Sequence, residues 1–186
     1  MQGGEPYVYQ DPNDSSRLLG FEVDIAAALA RRLGVRAEFV QNDWHHLIPA
    51  LERGDFDVIL NGLEVTPANR ARVAFTRPYS AFTEILVVRA GDAARGLSEL
   101  RGARVGTLQG SMALEILRDT PGVDVVLYEG VEEPYGDLEQ GRIRGVVFDN
   151  IIARRYGLTR SALRAAAIVG EGVYAIAVRL QDGELR

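Results

Sequence analysis

The stretch Asn61-Gly62-Leu63-Glu64-Val65-Thr66-Pro67-Ala68-Asn69-Arg70 decides the fold predicted for this chain. It follows residues 56–60, an apolar run typical of a buried strand. It ends in a helix start, because Thr66 is a favoured N-cap and Pro67 has no N–H to leave unpaired. In open α/β sheets, small anionic groups bind where a strand leads into a helix N-terminus. The stretch is therefore either a binding turn or an ordinary turn with a good cap.

The composition is that of an acidic globular protein. The 186 residues are 47% hydrophobic and 25% charged, with a formal net charge of −5. This balance argues against a nucleic-acid partner and against a polybasic membrane-surface protein, since both need a basic face. No apolar run approaches the roughly 18 residues of a membrane helix, and no signal segment opens the chain. We therefore expect any export signal or membrane anchor to lie outside this sequence.

Three residue types limit the chemistry. The absence of Cys excludes thiol nucleophiles, disulfides and cysteine metal sites. All 21 basic residues are Arg, which excludes Schiff-base and P-loop lysines. The only histidines, His45 and His46, are adjacent, and we expect their side chains to point in different directions. We therefore predict no metal site and no cofactor.

Strands and helices alternate along both halves of the chain. The predicted strands are a short aromatic one within residues 3–16, then 35–40, 56–60, 84–89, 104–108, 123–128, 145–148, 166–169 and 174–178. The predicted helices are 20–33, 47–53, one that begins at Thr66, 111–118, 137–140 and 151–156. The first helix carries an apolar stripe of Phe21, Ile25, Ala28, Leu29 and Leu33, with Gly34 as C-cap. This alternation predicts parallel sheets covered by helices on both faces.

Residues 90–96 are small and flexible, and they are the best linker candidate in the chain. We therefore predict a first lobe over residues 1–89, a second lobe over 90–172 and a return crossover strand over 173–186. Two βα series joined by a linker imply a cleft between two lobes.

Each predicted lobe offers a strand-to-helix turn, at Thr66 and at Ser111. Two helix N-termini that face one cleft would hold a carboxylate from both sides and couple closure to occupancy. Asp149 follows a strand and either accepts from an ammonium group or caps the next helix. Tyr7 and Trp44 either line the ligand site or belong to the hydrophobic core.

A series of short motifs runs in order along nearly the whole chain. They are Gly20–Ala26, Trp44 with Leu47–Leu51, Gly54–Val58, Thr66-Pro67, Phe75–Tyr79, Leu97–Gly102, Val105–Thr107, Gln109–Ser111, Asp137-Leu138 with Gly141-Arg142, and Asp149. Together they resemble the family 3 extracellular solute-binding proteins, which bind polar amino acids for ABC importers. The sequence around Glu64 is most similar to that of members that are fused to their own permease or encoded beside it.

The resemblance implies an α/β fold of the type II periplasmic binding class, with two βα lobes joined by hinge strands that close on an amino acid. The implied ligand-binding residues are Tyr7, Trp44, Asn61, Gly62, Glu64, Asn69, Arg70, Ser111, Met112 and Asp149. The aromatic members would pack on the ligand side chain, and the turn residues would hold its main-chain groups. Asp149 would take the α-ammonium.

The chain departs from the family pattern where an arginine usually grips the α-carboxylate. Asn69 stands at that place, and Arg70 follows it. The resemblance thus leaves two arrangements open, with the carboxylate held by Arg70 or by backbone donors together with Asn69. Glu64 stands where many members have a hydroxyl residue, which favours a cationic ligand.

The resemblance also implies a first lobe that is truncated at both chain ends. The family's opening strand and its returning helices are missing from the pattern. Because an open slot in a sheet exposes unpaired N–H and C=O groups, we expect a homodimer or a strand swap through this lobe.

The leading hypothesis is a periplasmic or extracytoplasmic binding domain that captures a polar, cationic amino acid for an ABC permease. It would be associated with the membrane through a partner or a flanking segment. One alternative is an enzyme, because cyclohexadienyl dehydratases resemble the same family and would need Glu64, Asp149 or Glu171 as general acid. A ligand-sensing domain of a receptor and a fragment that binds nothing are the others.

Overall fold

The computed structural model describes residues 4–182 and divides the chain into two compact units. Unit 1 comprises the residues up to Ser80 together with those from Val173 onward, and unit 2 comprises Ala81–Gly172. Residues 1–3 and 183–186, which belong to the predicted domains, lie outside the described residues. The division after Ser80 precedes the boundary that the sequence predicts after residue 89.

The elements follow one another in a nearly regular alternation. In chain order they are β1 (Tyr9–Asp11), β2 (Asp14–Leu19), α1 (Phe21–Leu33), a 3-10 turn (Trp44–His46), α2 (Leu47–Arg53), α3 (Pro67–Arg70), β3 (Val73–Phe75), β4 (Ser80–Arg89), a 3-10 turn (Leu97–Leu100), β5 (Arg104–Leu108), α4 (Met112–Arg118), β6 (Asp124–Tyr128), α5 (Glu133–Glu139), β7 (Gly145–Asp149), α6 (Asn150–Ile152), a π-helical turn (Ala153–Gly157), β8 (Leu163–Tyr174) and β9 (Ala177–Arg179). No helix among the described residues is long and apolar enough to cross a membrane.

Unit 1 contains small antiparallel ladders. Strands β1 and β2 pair with each other, and β3 pairs with β9. An isolated antiparallel bridge joins Ile59 to Ala177, and another joins Glu64 to Tyr174. The prediction of parallel sheets is wrong for this unit, because each ladder described in it is antiparallel. Its apolar cluster consists of Leu47, Ile48, Leu51, Ile59, Leu63, Val73 and Ala177.

Two strands predicted in unit 1 are wrong. Residues 35–40 form no ladder, and residues 56–60 form only the single bridge at Ile59. A strand requires a neighbour that exchanges backbone hydrogen bonds along its length. In the described part of the chain, residues 35–40 have no such neighbour, and residues 56–60 exchange bonds with Ala177 at Ile59 alone. Four apolar side chains on these segments are accordingly 40–60% exposed, namely Val35, Phe39, Val40 and Val58.

Helix α1 ends at Leu33 as predicted, but its buried residues, Glu22 and Ala30, are not members of the predicted stripe. Gly34 ends it in the left-handed conformation, at φ 69°, as predicted. Leu33, a member of the predicted stripe, is 54% exposed, whereas Glu22 is completely buried. The reason is that the Glu22 N–H donates to the Tyr7 carbonyl and its carboxyl accepts from the Gly62 N–H, which fixes this face against the two segments.

Unit 2 is built on one five-stranded sheet in the order β6-β5-β7-β4-β8. Strand β5 pairs in parallel with β6 and with β7, as predicted, but β4 pairs antiparallel with β7. Because β4 is part of this sheet, the unit begins at Ala81 instead of after residue 89. The core cluster is Leu86, Val88, Ala94, Leu100, Val105, Ala113, Leu117 and Val147, all at most 1% exposed.

The predicted linker, residues 90–96, lies inside unit 2. Arg144 forms a salt bridge with Asp92, with Nε and Oδ2 2.8 Å apart. The Arg164 guanidinium donates to the Ala94 carbonyl at 2.8 Å, and Ala94 belongs to the core. These contacts hold the segment in place although its small residues suggested flexibility.

Candidate functional site

The turn before α3 forms as the sequence predicts. The Thr66 Oγ1 accepts from the Asn69 N–H at 3.2 Å, and Pro67 occupies the first helical position. The side-chain amide of Asn69 then donates to the Glu64 carbonyl at 2.9 Å. Asn69 therefore closes the turn on itself, because both its backbone and its side chain bond to residues within it.

Arg70, the alternative residue for binding the carboxylate of the amino acid, is exposed on α3. Its guanidinium carbon lies 6.0 Å from the centroid of the Phe75 ring, within the range of a cation–π attraction. Of the two carboxylate-binding candidates, Asn69 thus contacts Glu64 and Arg70 contacts Phe75.

Gly62 contacts a cluster of tyrosines and one acid. Its φ of 61° and the 3.3 Å that would separate an added Cβ from the Tyr7 ring both favour glycine here. The Gly62 N–H donates to Glu22 Oε1 at 2.7 Å, and the Tyr79 hydroxyl donates to the same oxygen. The Tyr7 hydroxyl donates to the Tyr174 hydroxyl at 3.0 Å, and both tyrosines are buried.

Sequence reasoning missed Glu22, Tyr79 and Tyr174 as members of this cluster. A signal for Glu22 was present, since it precedes Ile25 by three residues and Leu29 by seven, which is core spacing on a helix. The two tyrosines carried no comparable signal, because only the fold brings them to residues so distant in sequence.

The electrostatics of Glu22 follow from its burial. Burial raises its pKa to about 7, against the hydrogen bonds from Tyr79 and Gly62, which lower it. Its second oxygen, Oε2, is buried and has no hydrogen-bond partner within residues 4–182. Burial and the charge of Glu22 raise the pKa of Tyr79, so this hydroxyl remains a donor at neutral pH.

The remaining candidates of unit 1 lie mainly in or beside its core. Glu64 is 5% exposed and pairs with Tyr174 through the antiparallel bridge. Asn61 is half-buried at the start of the turn. Trp44 is also half-buried and packs against the unit 1 apolar cluster.

The histidines beside Trp44 lie side by side on the 3-10 turn, with their ring planes tilted by 47°. Their ring centroids are 3.9 Å apart, so the expectation that His45 and His46 point in different directions is wrong. The tight turn brings successive side chains close enough to touch. Within the described ranges, no group of three His, Asp or Glu side chains is arranged to hold a metal ion.

In unit 2, Ser111 is the N-cap of α4, as predicted. Its Oγ accepts from the Leu114 N–H at 3.2 Å and donates to the Leu108 carbonyl at 2.9 Å. Met112, the first residue of α4, is half-buried. The Ser111 side chain is thus fixed at the carboxyl end of β5.

Asp149 caps α6, which confirms one of its two predicted roles. Its Oδ1 accepts from the Ile151 and Ile152 N–H groups at 2.8 and 2.9 Å. Asp149 also lies opposite Glu84 in the β4–β7 ladder, and opposite residues project from the same face. Glu84 is completely buried. Burial, followed by the charges of Asp149 and Glu84, raises the pKa of Tyr135 well above its usual value.

The fold of unit 2 brings Ser111 and Asp149 to one edge of the sheet. Strands β5 and β7 are parallel neighbours, so their carboxyl ends lie side by side. Thr107 on β5 links the Ser111 turn to strand β7. Its hydroxyl donates to the Val147 carbonyl on β7 at 2.9 Å and lies 3.4 Å from the Ser111 hydroxyl. Unit 1 separately brings together Tyr7, Gly62, Glu64 and Asn69, while Trp44 and Arg70 contact other groups.

Residues 1–185 match the model of the bacterial extracellular solute-binding proteins, family 3. The chain belongs to this family. Among its relatives, the histidine-binding periplasmic protein of Salmonella typhimurium is 29% identical over an alignment of 192 positions, which covers 96% of this chain and 74% of the relative. The L-arginine-binding protein of Pseudomonas aeruginosa is 32% identical over an alignment of 194 positions, which covers 97% of this chain and 74% of the relative.

Solved structures of solute-binding proteins share the fold of this family 3 member. Holo ArgBP from T. maritima aligns with a TM-score of 0.88 at 30% identity, over 97% of this chain and 80% of that one. The ancestral amino acid-binding protein AncCDT-1, a precursor of cyclohexadienyl dehydratase, aligns with a TM-score of 0.88 at 27% identity. This alignment covers 99% of the present chain and 81% of AncCDT-1. The predicted α/β fold of the type II periplasmic binding class is therefore confirmed.

Proposed function

We propose that this solute-binding protein captures a polar amino acid with a cationic side chain and presents it to an ABC permease. The observation that carries the proposal is the match of the whole chain to a family whose relatives are named for histidine and arginine binding. Three acidic residues in and beside the candidate turns support a cationic ligand, namely Glu64, Glu84 and Asp149.

Within each unit, the proposed ligand contacts follow from the residues already placed. In unit 1, the backbone of Asn61 and Gly62 holds a main-chain group of the ligand, and Tyr7, Trp44 and Glu64 shape the site. In unit 2, the Ser111-Met112 turn supplies backbone donors. The carboxylate of Asp149, which also caps α6, takes the α-ammonium.

The ligand carboxylate is the least conventional part of the proposal. We infer that backbone donors of the turn bind it and that Asn69 acts through the turn, because the Asn69 amide bonds to the Glu64 carbonyl. Arg70 would have to leave the Phe75 ring to take part. Asn69→Ala should therefore weaken binding more than Arg70→Ala does.

A thermal-shift screen of the twenty amino acids, followed by calorimetry, tests the function. A ligand at a hundredfold excess over its Kd should add about 2.7 kcal/mol, or roughly 5–10 °C of Tm for a chain of this size. Arginine, lysine, histidine and glutamine are the first ligands to test. Asp149→Asn should reduce the shift, and Asp119→Asn, on the exposed end of α4, is the matched control. No shift with any amino acid would contradict the proposal.

The comparison with AncCDT-1 keeps one enzymatic alternative open. A dehydratase would need a general acid from among Glu64, Asp149 and Glu171. Incubation with prephenate or arogenate and chromatography of the products distinguishes the two functions. A decarboxylated aromatic product that disappears in one of these acid-to-amide variants would replace the binding proposal.

We also propose a location outside the cytoplasmic membrane, with membrane association through the permease or a flanking segment. The support is that the relatives include periplasmic proteins. Fractionation of cells that express the full-length gene product tests this location. Recovery of the protein only in the cytoplasmic fraction would contradict it.

A homodimer or strand swap through unit 1 is a further part of the proposal. It is supported by the exposed apolar side chains of residues 35–40 and 56–60, which form no ladder within the described part of the chain. Light scattering should show mass rising with concentration, and Phe39→Glu should restore a monomer. A monodisperse monomer at all concentrations would contradict it.

A further inference from the structure

Glu22 is a completely buried acid that bonds to the proposed ligand-binding turn. One oxygen, Oε1, accepts from the Gly62 N–H at 2.7 Å and from the Tyr79 hydroxyl. Gly62 is 40 residues away in sequence and lies at the start of the proposed binding turn. The carboxyl group therefore fixes a backbone N–H whose position determines the geometry of that turn.

The second oxygen of Glu22 makes the ionised form costly. Oε2 is buried and finds no donor within residues 4–182, and an ionised carboxylate loses its hydration on burial. The titratable groups on the elements that pack around Glu22 are Tyr7, Glu64, Tyr79 and Tyr174, together with Asp24 on its own helix. None of these groups is a cation, and Arg31 and Arg32 lie exposed in the last turn of the same helix. The negative charge of ionised Glu22 is therefore stabilised mainly by the hydrogen bonds to Oε1.

We propose that Glu22 is a positioning residue for the Gly62 turn and that its ionisation tightens the binding of a cationic amino acid. The proposal rests on the function proposed above. When Glu22 ionises, its bonds to Gly62 and Tyr79 become charge-assisted and stronger.

Linkage requires that the effect be reciprocal. A ligand that binds better to the ionised form must lower the pKa of Glu22, so binding releases a proton. Because burial raises this pKa to about 7, the effect falls within an accessible pH range. Arginine is the appropriate probe, since its own guanidinium does not titrate there.

Calorimetric titration with arginine between pH 5.5 and pH 8.5 tests the coupling. We expect Kd to fall by roughly 3–10-fold as pH rises and Glu22→Gln to bind with nearly constant Kd. Asp24→Asn, which changes an exposed acid on the same helix, should keep the wild-type profile. A pH-independent Kd in the wild type, or the full dependence in Glu22→Gln, would overturn the proposal.

Tyr79→Phe separates positioning from mere stabilisation. The Tyr79 hydrogen bond lowers the pKa of Glu22, so its loss should move the midpoint of the profile to higher pH. A purely structural contact would change stability without moving this midpoint. An unmoved midpoint in Tyr79→Phe would therefore also count against the proposal.

The amide NMR signal of Gly62 gives a readout that needs no ligand. It should titrate with a midpoint near 7 in the wild type and remain constant in Glu22→Gln. If the signal titrates but no amino acid binds, the proposed function fails and the positioning role stands. If arginine binds but the Gly62 signal does not titrate between pH 5.5 and pH 8.5, the positioning role fails alone.

Discussion

The two units bury their side chains in different ways. In unit 2, a five-stranded sheet covers a cluster whose members Leu86, Leu117 and Val147 are completely buried. In unit 1, two-stranded ladders and single bridges leave Leu33 and Val35 more than half exposed. An extended ladder satisfies the backbone and permits a closed core, whereas short ladders leave neighbouring apolar segments uncovered.

The units also differ in how they hold their acids. Among the described residues of unit 1, no cation acts on the pKa of Glu22, and burial raises this pKa to about 7. Unit 2 pairs Asp92 with Arg144, and this hydrogen-bonded pair, with the Ala94 N–H, lowers the pKa of Asp92 to about 2. The comparison teaches that burial favours the neutral acid even against two neutral hydrogen-bond donors, whereas a guanidinium donor at a less buried site favours the charged acid.

The largest expected effect compares one leucine from a helix of each unit. Leu117→Ala in α4 removes a completely buried side chain and should cost about 2–5 kcal/mol. Leu33→Ala in α1 removes one that is 54% exposed and should cost under about 1 kcal/mol. Urea unfolding followed by circular dichroism measures both. Equal losses would show that an unseen partner covers the exposed face of α1.

The pH dependence of Glu22 is expected to be next in size. Its pKa rises from 4.5 to about 7 on folding, so its contribution to stability is complete below 4.5 and is lost as pH rises through 7. The wild type should lose on the order of 3 kcal/mol more than Glu22→Gln between pH 5 and pH 8.5. Urea midpoints at the two pH values measure this difference. Parallel pH profiles in the two proteins would show that Glu22 is hydrated.

Each unit has a helix cap whose loss should destabilise it by a similar order of magnitude. Thr66→Ala and Ser111→Ala each remove an N-cap bond, which is worth about 0.5–2 kcal/mol. Ser111 should be the costlier, because its hydroxyl also donates to the Leu108 carbonyl. Thr66→Ser keeps the capping oxygen and serves as the control. Denaturant unfolding would contradict the assignment if Thr66→Ser were as unstable as Thr66→Ala.

The smallest predicted effect is that of Asp92, and its dependence on pH is opposite in sign to that of Glu22. The pKa of Asp92 falls from 3.8 to about 2 on folding, so its stabilisation is present above 3.8 and is lost as pH falls through 2. Because Arg144 is partly exposed, we expect only about 1 kcal/mol. Asp92→Asn should abolish this loss between pH 5 and pH 2.5 in urea unfolding. An unchanged acid profile would show that the pair is fully screened by solvent.

The sequence by itself determined the local features of the chain. Helices α1 and α2 end at Gly34 and Gly54 as capping predicts, and Thr66, Ser111 and Asp149 each cap a helix. The order of the motifs along the chain also indicates the family. These features could be predicted because a cap or a helical period depends on residues within a few positions of one another.

Only the tertiary structure decided which strands pair and which polar groups are buried. It made β4 antiparallel to β7, left residues 35–40 without a ladder and bonded Glu22 to Gly62 and Tyr79, which are 40 and 57 residues away. The physical reason is that ladder partners and desolvation are supplied by segments remote in the chain. An acid on a helix face therefore has the same local sequence whether water or a buried tyrosine faces it.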